Sequence, residues 1–185
     1  MGVIANITVG ASNLYIAPAG TALPTLTGAA ADFAAFTEIG FTQDGIEYDY
    51  TPTWKDIMVD ELMGPAKKIL TAHKLVVSAK LAESTLSNLA AAIPGATLTG
   101  TDVLTIGSVT AAPEFILGWR GPSVNGGTRS ALLTRVVSIG AVKAHYQRKD
   151  MVIYQTQFEA LSDPTQDAAA DLATVHDFTT AFVLA

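Results

Sequence analysis

The chain has 185 residues, of which 49% are hydrophobic and only 15% are charged, and its mean hydropathy is +0.34. A chain of this length suits one domain, residues 1–185, with a single core, and so low a charged fraction indicates that contacts between subunits cover part of the surface. The absence of cysteine excludes disulfides, thiolate metal sites and thiol nucleophiles.

Charge is divided into three blocks. Residues 1–61 hold eight acidic residues and one lysine, residues 62–149 hold three acidic and ten basic residues, and residues 150–185 hold six acidic and no basic residues. These blocks can pair within one subunit, or between neighbouring subunits that present unlike surfaces. The net charge of −6 argues against a nucleic-acid binder, because affinity for duplex DNA requires a basic surface.

The N-terminal residues 1–31 are uncharged and predict short strand pieces, with a strand at 14–16 that enters a turn at 17–20. No cationic region precedes an apolar run, and no apolar stretch reaches ~18 residues. We therefore expect neither a signal peptide nor a membrane span, and folding in a reducing cytoplasm. Residues 1–35 are a candidate subunit-contact arm.

A turn at 43–45 and a strand at 46–50 are predicted next. Alternation with a period of two places Ile46, Tyr48 and Tyr50 on a face covered by core, and sends Glu47 and Asp49 to the opposite face.

The following segment, residues 51–68, mixes apolar and charged side chains between two prolines and predicts a long connection that can include a strand. Its exposed apolar residues need a partner, because so apolar a loop is costly to leave in water. The candidate inter-subunit contacts are Trp54, Ile57, Met58 and Val59.

A long strand with one buried face is predicted over residues 69–83, with Ile69, Thr71, His73 and the odd-numbered residues 75–81 on the buried side. One short packing helix follows at about 84–93, capped by Ser84. The helix is expected to lay its apolar side chains on a sheet, namely Leu86, Leu89, Ala90 and Ile93.

Four further strands are predicted at 114–120, 131–139, 142–147 and 152–161, and the fold class is mainly β, sandwich-like or barrel-like. The tail at 165–185 is either an extra strand or an extended subunit-contact arm.

Sequence motifs for chemistry are missing. His73, His145 and His176 are far apart and show no metal-binding spacing. The stretch 64–68 lacks the first glycine and the Ser or Thr of a phosphate loop and predicts a turn, and residues 118–127 lack a dinucleotide-binding register and predict a flexible hairpin loop. No serine-nucleophile elbow is present. We therefore expect no enzyme activity, no cofactor and no metal.

Four segments in this order resemble the major tail tube proteins of long-tailed bacteriophages: residues 41–50, residues 56–60, the run from 75 to 93, and residues 152–164, which end Phe-Glu-Ala-Leu-Ser-Asp-Pro. The resemblance covers most of residues 36–164 and does not extend to 1–31 or 165–185.

The resemblance implies a virion protein assembled in the host cytoplasm into stacked hexameric rings, with sheets that join across subunits around a lumen. DNA would pass through without specific binding, and the tape measure, terminator and distal tail proteins would be further partners. Glu47 and Asp49 are candidates for the luminal wall, where they would repel phosphates, or they lie on an ordinary solvated outer face. The alternatives for the whole chain are another ring or tube component, such as a tail terminator or a secretion-system tube protein, and a small binding module or an enzyme whose site forms only in the fold.

Overall fold

The strands dominate the structure. A computed structural model describes residues 10–60, 63–83, 85–107, 112–140, 142, 152–163 and 172–179. In these ranges the strands are β1 (Asn13–Pro18), β2 (Thr37–Glu38), β3 (Thr42–Ile57), β4 (Lys67–Leu81), β5 (Ala96–Thr99), β6 (Val103–Ile106), β7 (Glu114–Pro122), β8 (Thr128–Ser138), β9 (Tyr154–Ala160) and β10 (Thr174–Phe178). One α-helix, α1 (Leu86–Ala92), and two 3-10 turns, Ala30–Phe33 and Val124–Gly126, complete them. The mainly β prediction is confirmed.

The main sheet is antiparallel and curls back on itself. Its strand order is β2-β1-β7-β8-β9-β4-β3, with β10 beside β8, while β5 and β6 form a separate hairpin. β2 and β3 stand at opposite ends of this order, yet only residues 39–41 connect them. Because one residue spans at most ~3.6 Å, the two ends of the sheet lie within roughly 14 Å of each other. The sheet therefore has the sandwich-like form that the sequence predicts.

The concave side of the curled sheet encloses the main core. Side chains from β1, β4, β7, β8 and β9 meet in one buried cluster, in which Val77, Leu117, Leu133 and Phe158 are fully buried. Burial of each such side chain stabilises the fold by roughly 1.5 to 3 kcal/mol. The alternation predicted for β9 is confirmed, because Tyr154, Thr156 and Phe158 are all buried.

A second, smaller core covers the opposite side of β1, β7 and β8. Phe33, from the first 3-10 turn, stacks on Tyr15 with ring centroids 4.7 Å apart. The same ring lies directly on Gly118 of β7, where a Cβ atom would come within 2.3 Å of it. The stretch 118–127 is therefore not a flexible loop as predicted: residues 118–122 belong to a strand buried on both faces, and only 123–127 form the turn.

Helix α1 holds the closure of the sheet. Asn88, which is buried, donates hydrogen bonds from Nδ2 to the carbonyl oxygens of Ile39 (2.8 Å) and Glu83 (3.1 Å), which lie in the β2–β3 link and just after β4. The residue at the N-cap is Thr85, whose Oγ1 accepts from the Asn88 amide at 3.2 Å. The predicted cap, Ser84, lies outside the described residues.

The predicted inward face of the helix is wrong in part. Asn88 and Ala92 are its buried residues, and Leu89 and Ala91 pack at the edge of the main core. Leu89 alone of the four predicted contacts belongs to this face. Asn88 on this face bonds the β2–β3 link, a contact that the periodicity of apolar residues does not reveal.

β3 begins earlier than predicted and contains a bulge. Asp44 and Gly45, predicted as a turn, have φ values of 62° and 80° and lie between the register pairs Gln43–Lys80 and Ile46–Ala79. Lys80 Nζ contacts the Asp44 carboxylate at 2.6 Å. The pair of positive φ angles therefore bends a continuous strand instead of starting one.

Parts of both predicted terminal arms lie inside the sheet. β1 is the neighbour of β7 and contributes Leu14 and Ile16 to the main core, and β10 pairs with β8 from Thr174 to Phe178. Residues 1–9, 164–171 and 180–185 are outside the described ranges, as is all of the predicted strand 142–147 except Val142, which packs against the main core.

Candidate assembly surface

The hairpin of β3 and β4 extends beyond the core as an arm, defined here as residues 48–74. Every residue of β4 from Lys67 to Lys74 is exposed, whereas alternate residues from Leu75 to Leu81 are buried. On β3, every residue from Tyr48 to Ile57 is exposed except Pro52, which is half-buried. The strand that the sequence allowed within the connection 51–68 is present, but the connection is shorter than predicted: β3 continues to Ile57 and β4 begins at Lys67, and the described residues of the loop are 58–60 and 63–66.

Local interactions keep the arm regular. The Ala66 amide donates to the Ile57 carbonyl oxygen at 2.8 Å and closes the hairpin, and Lys68 Nζ lies 3.0 Å from the Asp56 carboxylate. A bulge at Thr71 shifts the register between the pairs Thr53–Ala72 and Trp54–Leu70, and the Thr71 hydroxyl donates to the Thr53 carbonyl oxygen at 3.1 Å. A two-stranded ribbon is nevertheless at best marginally stable in water. A surface that covered the arm would therefore stabilise it.

One face of the arm carries an apolar stripe, defined as Tyr48, Tyr50, Trp54 and Leu70. Tyr48 and Tyr50 are opposite Val77 and Leu75 of the core, and Trp54 is opposite Leu70, so the stripe continues the core face outward. These four side chains are 41% to 61% exposed.

The alternation predicted for residues 46–50 is correct, but the prediction that core covers this whole face is wrong. Ile46 packs against the main core, while Tyr48 only stacks on Trp119 at its edge, 5.8 Å between ring centroids. The buried residues of β4 end at Leu75, so Tyr50 and the residues beyond it on this face lie outside the main core.

The four predicted contact residues lie at the outer part of the arm but not on one face. Trp54 belongs to the stripe, whereas Ile57, three residues further on β3, points to the opposite side. Met58 and Val59 follow in the loop. Ile69 is opposite Lys55 and lies on the Ile57 side, because the Thr71 bulge reverses the alternation predicted for β4.

Glu47 and Asp49 lie on the opposite face from the stripe and are exposed, as their alternation predicts. Two lysines of this face are paired with other carboxylates: Lys74 with Glu159 at 2.8 Å, and Lys80 with Asp44 at 2.6 Å.

The charge blocks pair within the subunit. Four of the five ion pairs found between described residues join the basic block to an acidic one. Arg129 and Asp177 make a two-point contact at 2.6 and 2.7 Å that joins β10 to β8. Hydrogen bonds from Arg129 and then from the Ser123 hydroxyl lower the pKa of Asp177 to about 2. The sequence alone did not decide whether the charge blocks pair within one subunit or between subunits.

The described ranges contain no group of three or more His, Asp or Glu residues placed to hold a metal ion. His73 lies beside Tyr50 on the arm, and His176 stacks on Phe178 of β10; His145 is outside the described residues. Of the stretch 64–68, predicted as a turn, residues 64–66 lie in the loop of the arm, whereas Lys67 and Lys68 begin β4.

Comparison of the chain with models of known protein families gives no match, and comparison with curated proteins gives none either. In the described part of the chain, no helix has the length and apolar character needed to cross a membrane.

Proposed function

We propose that the chain is a structural subunit that assembles into stacked hexameric rings and forms a tube, of the kind that makes the tail tube of a long-tailed phage. The observation that carries this proposal is the arm: a regular hairpin, exposed on both faces, with an apolar stripe that continues the core face outward. Contiguous apolar surface of this kind typically marks an interface between proteins.

The free edge of β3 supports the same proposal. Within the described residues β3 pairs with β4 alone, so one edge of a 16-residue strand presents unpaired backbone groups. Such edges invite pairing with another chain, and closure of sheets around a ring satisfies them without unlimited polymerisation. In the proposed ring, β3 continues the sheet into the neighbouring subunit.

The proposed assembly is the tail of a virion, put together in the host cytoplasm, with DNA passing through the lumen. Its other partners are the tape measure, terminator and distal tail proteins. Glu47 and Asp49 then line the wall of the channel, where repeated carboxylates repel a phosphate backbone within a Debye length of roughly 8 Å at physiological salt.

Replacement of Trp54 and Ile57 by Ser tests the assembly. The double variant removes one large apolar side chain from each face of the arm, and we expect its subunits to fold but not to form tubes, while the wild type forms tubes. Val175→Ser is the control, because Val175 is as exposed as Trp54, 56% in each case, but lies on β10. Normal tubes from the double variant, seen by electron microscopy, would show that the arm is not the contact.

Charge reversal tests the lumen separately. Glu47→Lys with Asp49→Lys should leave tubes intact but make them retain added DNA fragments in a sedimentation assay. For the single variant Glu47→Lys, Asp102→Lys is a control that changes net charge equally at the turn between β5 and β6. Equal DNA retention by the wild type and the double variant would place these carboxylates outside the channel.

A further inference from the structure

An apolar groove lies at the end of the subunit that is remote from the arm. It runs between β1, α1 and β5 and has a volume of 360 Å³. Small residues such as Ala17, Ala90, Ala91 and Ala96 form part of its lining, with the larger Leu98 and Phe115 also beside it. None of the described lining residues is charged. We call it the α1 groove.

The arm of a subunit cannot reach the α1 groove of the same subunit. Trp54 is opposite Leu70 on β4, and β4 then runs for eleven residues to Leu81 before the chain turns into α1. At ~3.3 Å per residue this distance is roughly 36 Å along the strand. Asn88 bonds the Glu83 carbonyl oxygen just after β4, which keeps α1 at that far end. Trp54 and the groove can therefore meet only between two copies.

The chemistry of the groove suits an indole. Pockets of roughly 300–1,000 Å³ hold ligands larger than one side chain, so 360 Å³ accommodates the ring system of Trp54. The hydroxyl groups of Ser87 and Thr97 at the groove can accept a hydrogen bond from the indole N–H, which otherwise loses its water partner on burial. Neither the stripe nor the groove contains a charged residue, so no charge is buried without a partner when the two surfaces meet.

The area of a single junction is too small to hold two separate copies together, so the contact fits copies that belong to rings. From Tyr48 to Ile57 the ribbon is roughly 33 Å long, and with a width of about 10 Å one face covers ~330 Å². A single junction then buries ~660 Å² counting both sides, which is below the ~1,200 Å² of stable pairs. Junctions acting in parallel between two rings reach stability together, because each one holds the next at high effective concentration.

On the basis of the proposed function, we propose that Trp54 of one copy inserts into the α1 groove of another, as the contact that stacks one ring on the next. Donor and acceptor differ and lie at opposite ends of the subunit, so the contact is head-to-tail and repeats without closing. The stripe residues Tyr48 and Tyr50 flank the anchor and exclude water from it.

Cross-linking tests the contact directly, because the chain has no cysteine of its own. The variant Thr53→Cys with Thr37→Cys places one thiol beside Trp54 and one at the groove, both at exposed positions. A bismaleimide with a spacer of about 10 Å, the width of the ribbon, should give a ladder of covalent multimers on a denaturing gel. Thr53→Cys with Val175→Cys is the control and should give no ladder, and Trp54→Ser added to the first variant should abolish it.

The outcomes separate this contact from assembly in general. Sedimentation velocity of each variant shows whether it assembles before the cross-linker is added. An assembling protein that gives no ladder, or gives the same ladder with Ser at position 54, overturns the Trp54 contact alone. A ladder of equal intensity from the Val175 control also overturns the Trp54 contact. If the wild type and all variants remain monomeric, both the contact and the proposed function are wrong.

Discussion

Asn88 is predicted to be the side chain on which closure of the sheet depends most. Asn88→Ala removes two hydrogen bonds at 2.8 and 3.1 Å and leaves the carbonyl oxygen of Ile39 without this donor in a buried position. A hydrogen bond contributes about 1 kcal/mol net, and an unsatisfied buried acceptor costs about 1 to 3 kcal/mol. Because Asn88 borders the α1 groove, water can reach part of the gap. We therefore expect a loss of about 2 kcal/mol in the free energy of unfolding.

Urea unfolding measures this loss, at a protein concentration where sedimentation shows one oligomeric state for all variants. A loss of about 2 kcal/mol lowers Tm by roughly 4 to 8 °C in a chain of this size. Ser87→Ala is the matched control, an exposed neighbour expected to change stability by less than about 0.5 kcal/mol. Asn88→Asp should be worse than Ala, because it keeps the shape but points a carboxylate at two carbonyl oxygens. If Asn88→Ala is as stable as Ser87→Ala, α1 does not hold the closure.

Two further predictions concern packing and pH. Gly118→Ala places a Cβ 2.3 Å from the Phe33 ring and should cost about 1 to 3 kcal/mol in thermal unfolding, whereas Gly64→Ala meets no atom within 4 Å and should be neutral; equal Tm values would contradict the contact. For Asp177 the folded pKa of about 2 is below the usual 3.8, so its contribution is present above pH ~4 and is lost as pH falls toward 2. Since its side chain is 48% exposed, we expect the wild type to lose only about 0.5 kcal/mol more than Asp177→Asn between pH 5 and 3 in urea unfolding, and parallel losses would refute the pairing.

Local alternation in the sequence was enough to predict the strands of the core. β9 and the inner half of β4 bury every second residue, and that period is visible without any partner strand. The existence of the helix was predictable as well, because an N-cap residue and the Pro-Gly after its end are local signals.

The arm was missed for a physical reason. Pro52 and several charged residues argue against a strand in the core, but an edge strand tolerates both, since its outer backbone groups and side chains face solvent. The signal that could have revealed it is the even-numbered alternation from Ile46 through Tyr50, which reappears at Trp54. The bulge at Thr71 then breaks the alternation on β4, and nothing local in the sequence marks it.

Closure of the sheet and the α1 groove depend on contacts between distant residues. β1 pairs with β7 across about a hundred residues, and Asn88 reaches Ile39 across 49 positions. Contacts at such separations produce no periodic pattern in the sequence. The α1 groove, which receives Trp54 in the proposed contact, could therefore be found only in the folded chain.

The most direct test of the central claim is the size and shape of the purified wild-type protein as its concentration rises. The account predicts rings, and then tubes of uniform diameter, in negative-stain electron micrographs. Sedimentation velocity on the same samples should show species far larger than the 19.3 kDa chain. A folded protein that remains monomeric at tens of micromolar, with neither rings nor tubes on the grid, would contradict it.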